Sequence, residues 1–110
     1  MMVRSVVLSA AVIFGFAASA SAQDLKAKGV EVFTAQKCSL CHSIAGKGNP
    51  KGALDDVGSK LKADEIRQWI TDAKGMTAKS QATRKPEMKA FALSKEDVDS
   101  LVAYLSTLKK

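Results

Sequence analysis

Cys38, Cys41 and His42 fall in the run Cys38-Ser39-Leu40-Cys41-His42, and together these side chains define a chemistry. Two thiols on one helical turn can each add to one of the two vinyl groups of a single porphyrin. The histidine directly after the second thiol is then held beneath the ring, where its imidazole can ligate the iron. The rival uses of such a run are short of residues. A structural zinc site normally takes four Cys or His ligands, and this chain has two cysteines and one histidine in total. A thioredoxin-like redox pair sits at the end of a strand in a βαβ unit, and the sequence shows no strand alternation. A disulfide between thiols so close would constrain the unfolded chain very little. Covalent attachment of one haem is the chemistry that fits.

A haem iron has a second axial position, and the chain offers two thioethers for it. Gly75 to Lys89 reads as irregular structure with little apolar content, and it contains both Met76 and Met88. A loop of that length is functional or mobile by the usual prior, so either sulfur is a candidate from the residues alone. On the histidine side, Ser43 to Gly52 holds three glycines and Pro50, which makes it a loop. The chain near Pro50 can pass under the histidine and accept from its outer ring N–H, fixing the imidazole and raising its basicity toward iron. Trp69 is the only tryptophan. It reads first as core, with an indole N–H that wants a partner and would find one in a haem propionate.

The elements that must position these groups read as helices. Asp24 to about Lys37 has Leu25, Val32 and Phe33 on one face with Gly29 among them. Glycine inside a helix costs about 1 kcal/mol against alanine, and close approach of another helix backbone is the natural reason to keep it. Leu54 and Val57 lead to a second helix, roughly Ala63 to Lys74, with Ile66, Trp69 and Ile70 at helical spacing. Asp64 and Glu65 suit its positive end, whereas Lys62 is a poor N-cap. Ser94 caps a final helix that carries Val98, Leu101, Val102, Leu105 and Leu108 on one stripe, with Tyr104 beside it. The expected class is all-α, three to four helices and their loops wrapped around one covalently attached haem.

Composition sets the compartment. Arg4, the apolar run Val6 to Ala18 and the small residues Ala20-Ser21-Ala22 form a secretory signal, with cleavage expected after Ala22. The apolar run is short for a membrane span of about 20 residues. Residues 1–22 are thus expected to be the leader, and residues 23–110 one domain of 88 residues, small enough to need a cofactor as part of its core. The whole chain carries a formal charge of +6. A basic surface suits nucleic acid, anionic lipid or an acidic protein, and export across the inner membrane leaves the acidic protein. Lys47, Lys51, Lys79, Arg84, Lys85 and Lys89 are the candidates for a docking ring.

Taken in order, residues 25 to 108 resemble a small bacterial class I cytochrome c. Gly29 and Phe33 precede the haem motif as in the first helix of that family. Leu101-Val102-Ala103-Tyr104-Leu105 is similar to its last helix, and the resemblance implies that the two helices cross with the glycine at the contact. It implies that Pro50 stands for the proline whose carbonyl meets the ligand histidine. It also implies that Met88, in Met88-Lys89-Ala90-Phe91, is the second axial ligand; Met76, just after the second helix, reads instead as a packing or surface residue. Lys62 and Glu87 depart from the family pattern.

The resemblance implies a periplasmic, monomeric carrier of single electrons, with His42 and Met88 on the iron and no substrate chemistry. It would meet membranes only through its redox partners. Filling both axial positions keeps substrates off the iron, and a thioether raises the reduction potential. A haem enzyme or gas-binding protein with an open sixth position is the alternative class, and a detached subunit of a larger oxidoreductase is another. Cytochromes c′ place the same motif near their C-terminus, unlike this chain.

Overall fold

The computed structural model describes residues 17–110. Most of the expected leader lies outside the described residues. Five α-helices dominate what is described: α1 (Ala17–Ala35), α2 (Val57–Lys60), α3 (Ala63–Thr71), α4 (Ala73–Ser80) and α5 (Lys95–Ser106). Single 3-10 turns occupy Cys38–Leu40 and Pro50–Gly52, and a two-residue antiparallel pair joins β1 (Ser43–Ile44) to β2 (Lys47–Gly48). The class is all-α.

The core forms where α1 and α3 both lie against α5. Val32 and Phe33 of α1, Ile66 and Ile70 of α3, and Val98, Leu101, Val102 and Leu105 of α5 make one buried cluster. Each such side chain contributes roughly 1.5–3 kcal/mol through burial. The crossing of α1 and α5 is set at Gly29, where an added Cβ would collide with the Ser100 carbonyl and the Tyr104 Cβ. The absent side chain is therefore the space in which the two backbones meet. Phe33 meets Tyr104 edge-on beside this point, ring centroids 6.1 Å apart. Lys28 reaches from α1 to Glu96 at the start of α5, at 2.8 Å.

Local signals explain most of the helix ends. The Ser94 Oγ accepts from the Asp97 N–H at 3.1 Å and caps α5. Lys62 has no oxygen to cap α3, but Glu65 reaches back to accept from the Lys62 N–H at 3.1 Å, the reciprocal half of a capping box. The chain leaves α1 through Lys37, whose φ of 56° is left-handed. That residue ends the helix two positions earlier than its periodicity suggests and starts a separate turn at Cys38.

Two expectations need correction. The second helix does not run from Ala63 to Lys74, because it stops at Thr71. Asp72 interrupts it and accepts from the Gly75 N–H at 3.3 Å, opening α4. Part of the segment expected to be irregular, from Gly75 to Ser80, is thus helical, and the true loop begins at Gln81, again left-handed. The sequence after His42 is also more ordered than a plain loop. Ala45 and Gly46 both take positive φ, 52° and 79°, which is the two-residue turn a tight hairpin needs. The Asp55 carboxylate accepts from the Ala45 N–H at 2.7 Å and holds that strained residue in place.

Candidate functional site

The site is a turn whose backbone is held from outside by the segment that follows it. The His42 and Cys41 N–H groups both donate to the Cys38 carbonyl, at 2.9 and 3.1 Å. Cys38, Cys41 and His42 therefore share one turn. Asn49 satisfies the outward carbonyls: its N–H bonds Ser39 and His42, each at 3.1 Å, and its Nδ2 bonds Leu40 at 3.2 Å. Its Oδ1 meanwhile accepts from the Lys51 N–H at 3.0 Å and caps the turn Pro50–Gly52. Asn49 thus connects the attachment turn to the segment that faces His42.

That segment supplies the histidine's partner. His42 Nδ1 lies 2.9 Å from the Gly52 carbonyl oxygen. A carbonyl can only accept, so the bond requires the proton on Nδ1 and leaves Nε2 with a free lone pair. The acceptor is Gly52 and not Pro50, which corrects the expectation drawn from the family proline. Pro50 sits at the start of the 3-10 turn and, with its fixed φ, helps to aim the carbonyl two residues on. Gly52 is also irreplaceable for space: a Cβ there would meet the Cys41 carbonyl, His42 Nδ1 and Arg84 Nη1. Gly48 is in the same condition, with φ of 108° and the His42 carbonyl where a Cβ would go.

Burial holds the His42 imidazole below its ordinary pKa; the bond to Gly52 opposes this, and the nearby Arg84 charge adds to it. The ring is therefore neutral at physiological pH, the form that ligates a metal. Burial likewise pushes the Cys38 thiol up. Among the described residues no three His, Cys, Asp or Glu side chains converge to hold a bare metal ion. The donor set instead suits a prosthetic group that brings its own equatorial ligands.

The two methionines are placed differently. Met76 is on α4 and only 8% exposed, with its side chain committed to packing. Met88 lies in the segment from Gln81 to Ala90, where it alone is partly shielded and every other residue is exposed. Trp69 is half-buried and lines a cavity of about 460 Å³ together with Leu54, Val57, Leu61, Lys60 and Lys110. Arg84, read from the sequence only as a surface charge, stays exposed but reaches across to the attachment turn, where its Nη2 donates to the Cys41 carbonyl at 2.5 Å. Asn49, Gly52 and this role of Arg84 were absent from the sequence reading. A glycine two residues after Pro50 was a signal for Gly52, but nothing local links Arg84 to a residue 43 positions away.

An all-α chain with two thiols and a neutral imidazole on one turn defines a small c-type haem protein. Comparison with known proteins agrees with this class, since residues 26–109 match the cytochrome c family and the chain belongs to it. It carries one haem c, bound covalently through Cys38 and Cys41. The chain is also similar to cytochrome c oxidase subunit 2 of Alkalihalophilus pseudofirmus, 27% identical over 96 residues. That match takes in 79% of this chain and 27% of the relative, so the chain spans about a quarter of the curated relative's length. No solved structure matches the chain.

Proposed function

We propose that this protein is a periplasmic single-electron carrier whose haem iron is held by His42 and Met88. Residues 1–22 are its export leader and residues 23–110 its working domain. Bound haem supplies a one-electron couple at the iron, and a thioether ligand raises its potential. The chain's own residues hold that couple ready. The Gly52 carbonyl fixes the His42 ring and leaves the Nε2 lone pair free, so His42 would hold the iron through Nε2, and the half-buried Met88 would supply the second ligand. With both positions filled no substrate reaches the iron, which is why we read a carrier and not an enzyme.

The observation that carries the reading is Met88, the one shielded side chain in an otherwise exposed segment. In the ferric protein the sulfur-to-iron ligation gives a weak near-infrared band. We expect this band in the wild type and in Met76→Ala, and its loss in Met88→Ala together with a fall in potential. A high-spin wild type that binds carbon monoxide readily would instead favour the open-site enzyme or gas-binding class.

The oxidase relative supports a second reading, in which the chain serves as the haem module of a larger oxidoreductase. Both readings require electron exchange with another protein, and co-purification from membranes separates them. For either, the candidate docking charges are unequal. Lys85 is paired with Glu87 at 2.8 Å, Arg84 is bonded to the Cys41 carbonyl, and Lys89 lies 5.8 Å from the Phe91 ring centroid. Lys47, Lys51 and Lys79 are exposed, and among the described residues none of them forms an ion pair. These three are the cations we assign to an acidic partner, met by a monomeric carrier.

A further inference from the structure

The segment carrying Met88 has few ties to the rest of the molecule. Ala82 N–H donates to the Thr77 carbonyl at 3.1 Å, closing α4, and Phe91 N–H donates to the Ile70 carbonyl at 2.9 Å. Among the described residues no backbone hydrogen bond outside helices and strands starts or ends on the residues between them. Lys85 and Glu87 pair only with each other there. Among the described residues, the one hydrogen bond that leaves this stretch is the Arg84 guanidinium on the Cys41 carbonyl.

That bond has a built seat. Gly52 has no side chain where Arg84 Nη1 lies, and an added Cβ would meet both the guanidinium and the Cys41 carbonyl. The same glycine presents its carbonyl to His42. The guanidinium therefore rests on the carbonyl of the residue directly before His42, four positions ahead of Met88 in the chain. It joins the segment bearing one proposed axial ligand to the turn bearing the other. A charged, planar donor suits this task, because a charge-assisted bond to a carbonyl is stronger than a neutral one and the fork holds its direction. It also divides the tether, leaving a shorter free stretch around Met88 and a smaller entropy cost for keeping it closed.

We propose that Arg84 is a positioning residue for Met88, a clasp that sets how often the Met88 segment swings away from the iron. The proposal rests on the His42/Met88 reading given above. It makes the loop's opening a property of a contact on the histidine side, at a residue bonded to the Cys41 carbonyl.

Imidazole added to the ferric, haem-loaded protein tests this, since it takes the sixth position only when the methionine leaves. Its apparent affinity scales with the open fraction. Loss of an exposed charge-assisted bond is expected to raise that affinity roughly tenfold in Arg84→Gln. Arg84→Lys, which keeps the charge and a donor but not the fork, is expected to fall between Arg84→Gln and wild type. It also stands in should Arg84→Gln fail to take up haem. Global unfolding by guanidinium, followed by far-UV circular dichroism, is expected to change by less than the same factor. An unchanged imidazole affinity in either haem-loaded variant overturns the clasp. So does an increase matched by an equal loss of global stability, which would make Arg84 an ordinary structural contact. Failure of the underlying reading is separately visible, because the wild type would then lack the near-infrared band before any arginine is replaced.

Discussion

At the scale of single residues, the site depends on what is missing at Gly52 as much as on what is present at His42. The glycine leaves room for a carbonyl, a ring nitrogen and a guanidinium in one place. Gly52→Ala is therefore expected to force at least one of them to move, with the 1–3 kcal/mol or so typical of overpacking. Denaturant unfolding of the haem-loaded protein measures the loss, and a rise in potential would report the displaced histidine partner, because the less basic imidazole favours ferric iron less. Stability unchanged from wild type would show that the turn relaxes without cost. Asp99 offers a contrasting test on the surface. Its carboxylate is held below the ordinary value of 3.8 by hydrogen bonds, first to Lys95 and then to Arg67. A depressed carboxylate stabilises the fold above its unfolded pKa, and the contribution disappears as pH falls through the lower folded value. Asp99→Asn should thus lower the unfolding midpoint slightly at pH 7. The gap from wild type should close only once pH has dropped below 3.8.

At the scale of elements, the crossing of α1 and α5 is the contact on which the others depend. Gly29 sits where the Ser100 carbonyl and the Tyr104 Cβ occupy the volume a side chain would need. Gly29→Val adds an isopropyl group, three carbons, at a backbone-to-backbone contact that has no flexible neighbour to yield. A loss toward or above the upper end of the 1–3 kcal/mol range for overpacking is expected, read as a drop in thermal midpoint. Haem attachment should weaken with it, because α1 ends at the turn that carries the cysteines. The break between α3 and α4 matters for a different reason. Asp72 ends one helix and caps the next, and this turns Met76 into a packed residue. That leaves Met88 as the thioether in the extended segment. The sequence hid the break because α4 has no clear apolar stripe and contains Gly75. The Asp72 cap was the available sign of it.

For the whole molecule, the formal charge of +6 is a statement about encounter and not about fold. Lys85 pairs with Glu87 and the exposed Arg84 is bonded to the Cys41 carbonyl, so under the acidic-partner proposal Lys47, Lys51 and Lys79 are the cations assigned to steering. Electron transfer with a physiological partner should slow steeply as salt is added. The double variant Lys47→Glu, Lys51→Glu should show a slower rate at low salt and a flatter dependence, whereas Lys85→Gln should change little. A rate indifferent to ionic strength in the wild type would remove the acidic-partner proposal.

The sequence by itself determined the cofactor chemistry, because attachment of haem needs only residue types at a spacing, and Cys38, Cys41 and His42 supply both. It also marked Gly29, within an apolar stripe, as a point where another helix backbone comes close, while the pairing with the last helix came from the resemblance to the cytochrome c family. Tertiary structure alone decided which carbonyl accepts from the His42 Nδ1–H, because Pro50 and Gly52 are equivalent until the 3-10 turn aims one of them at the ring. It decided the place of Arg84 for the same reason. A bond between residues 43 positions apart leaves no periodicity and no local composition to read, and it exists only once the chain has folded back on itself.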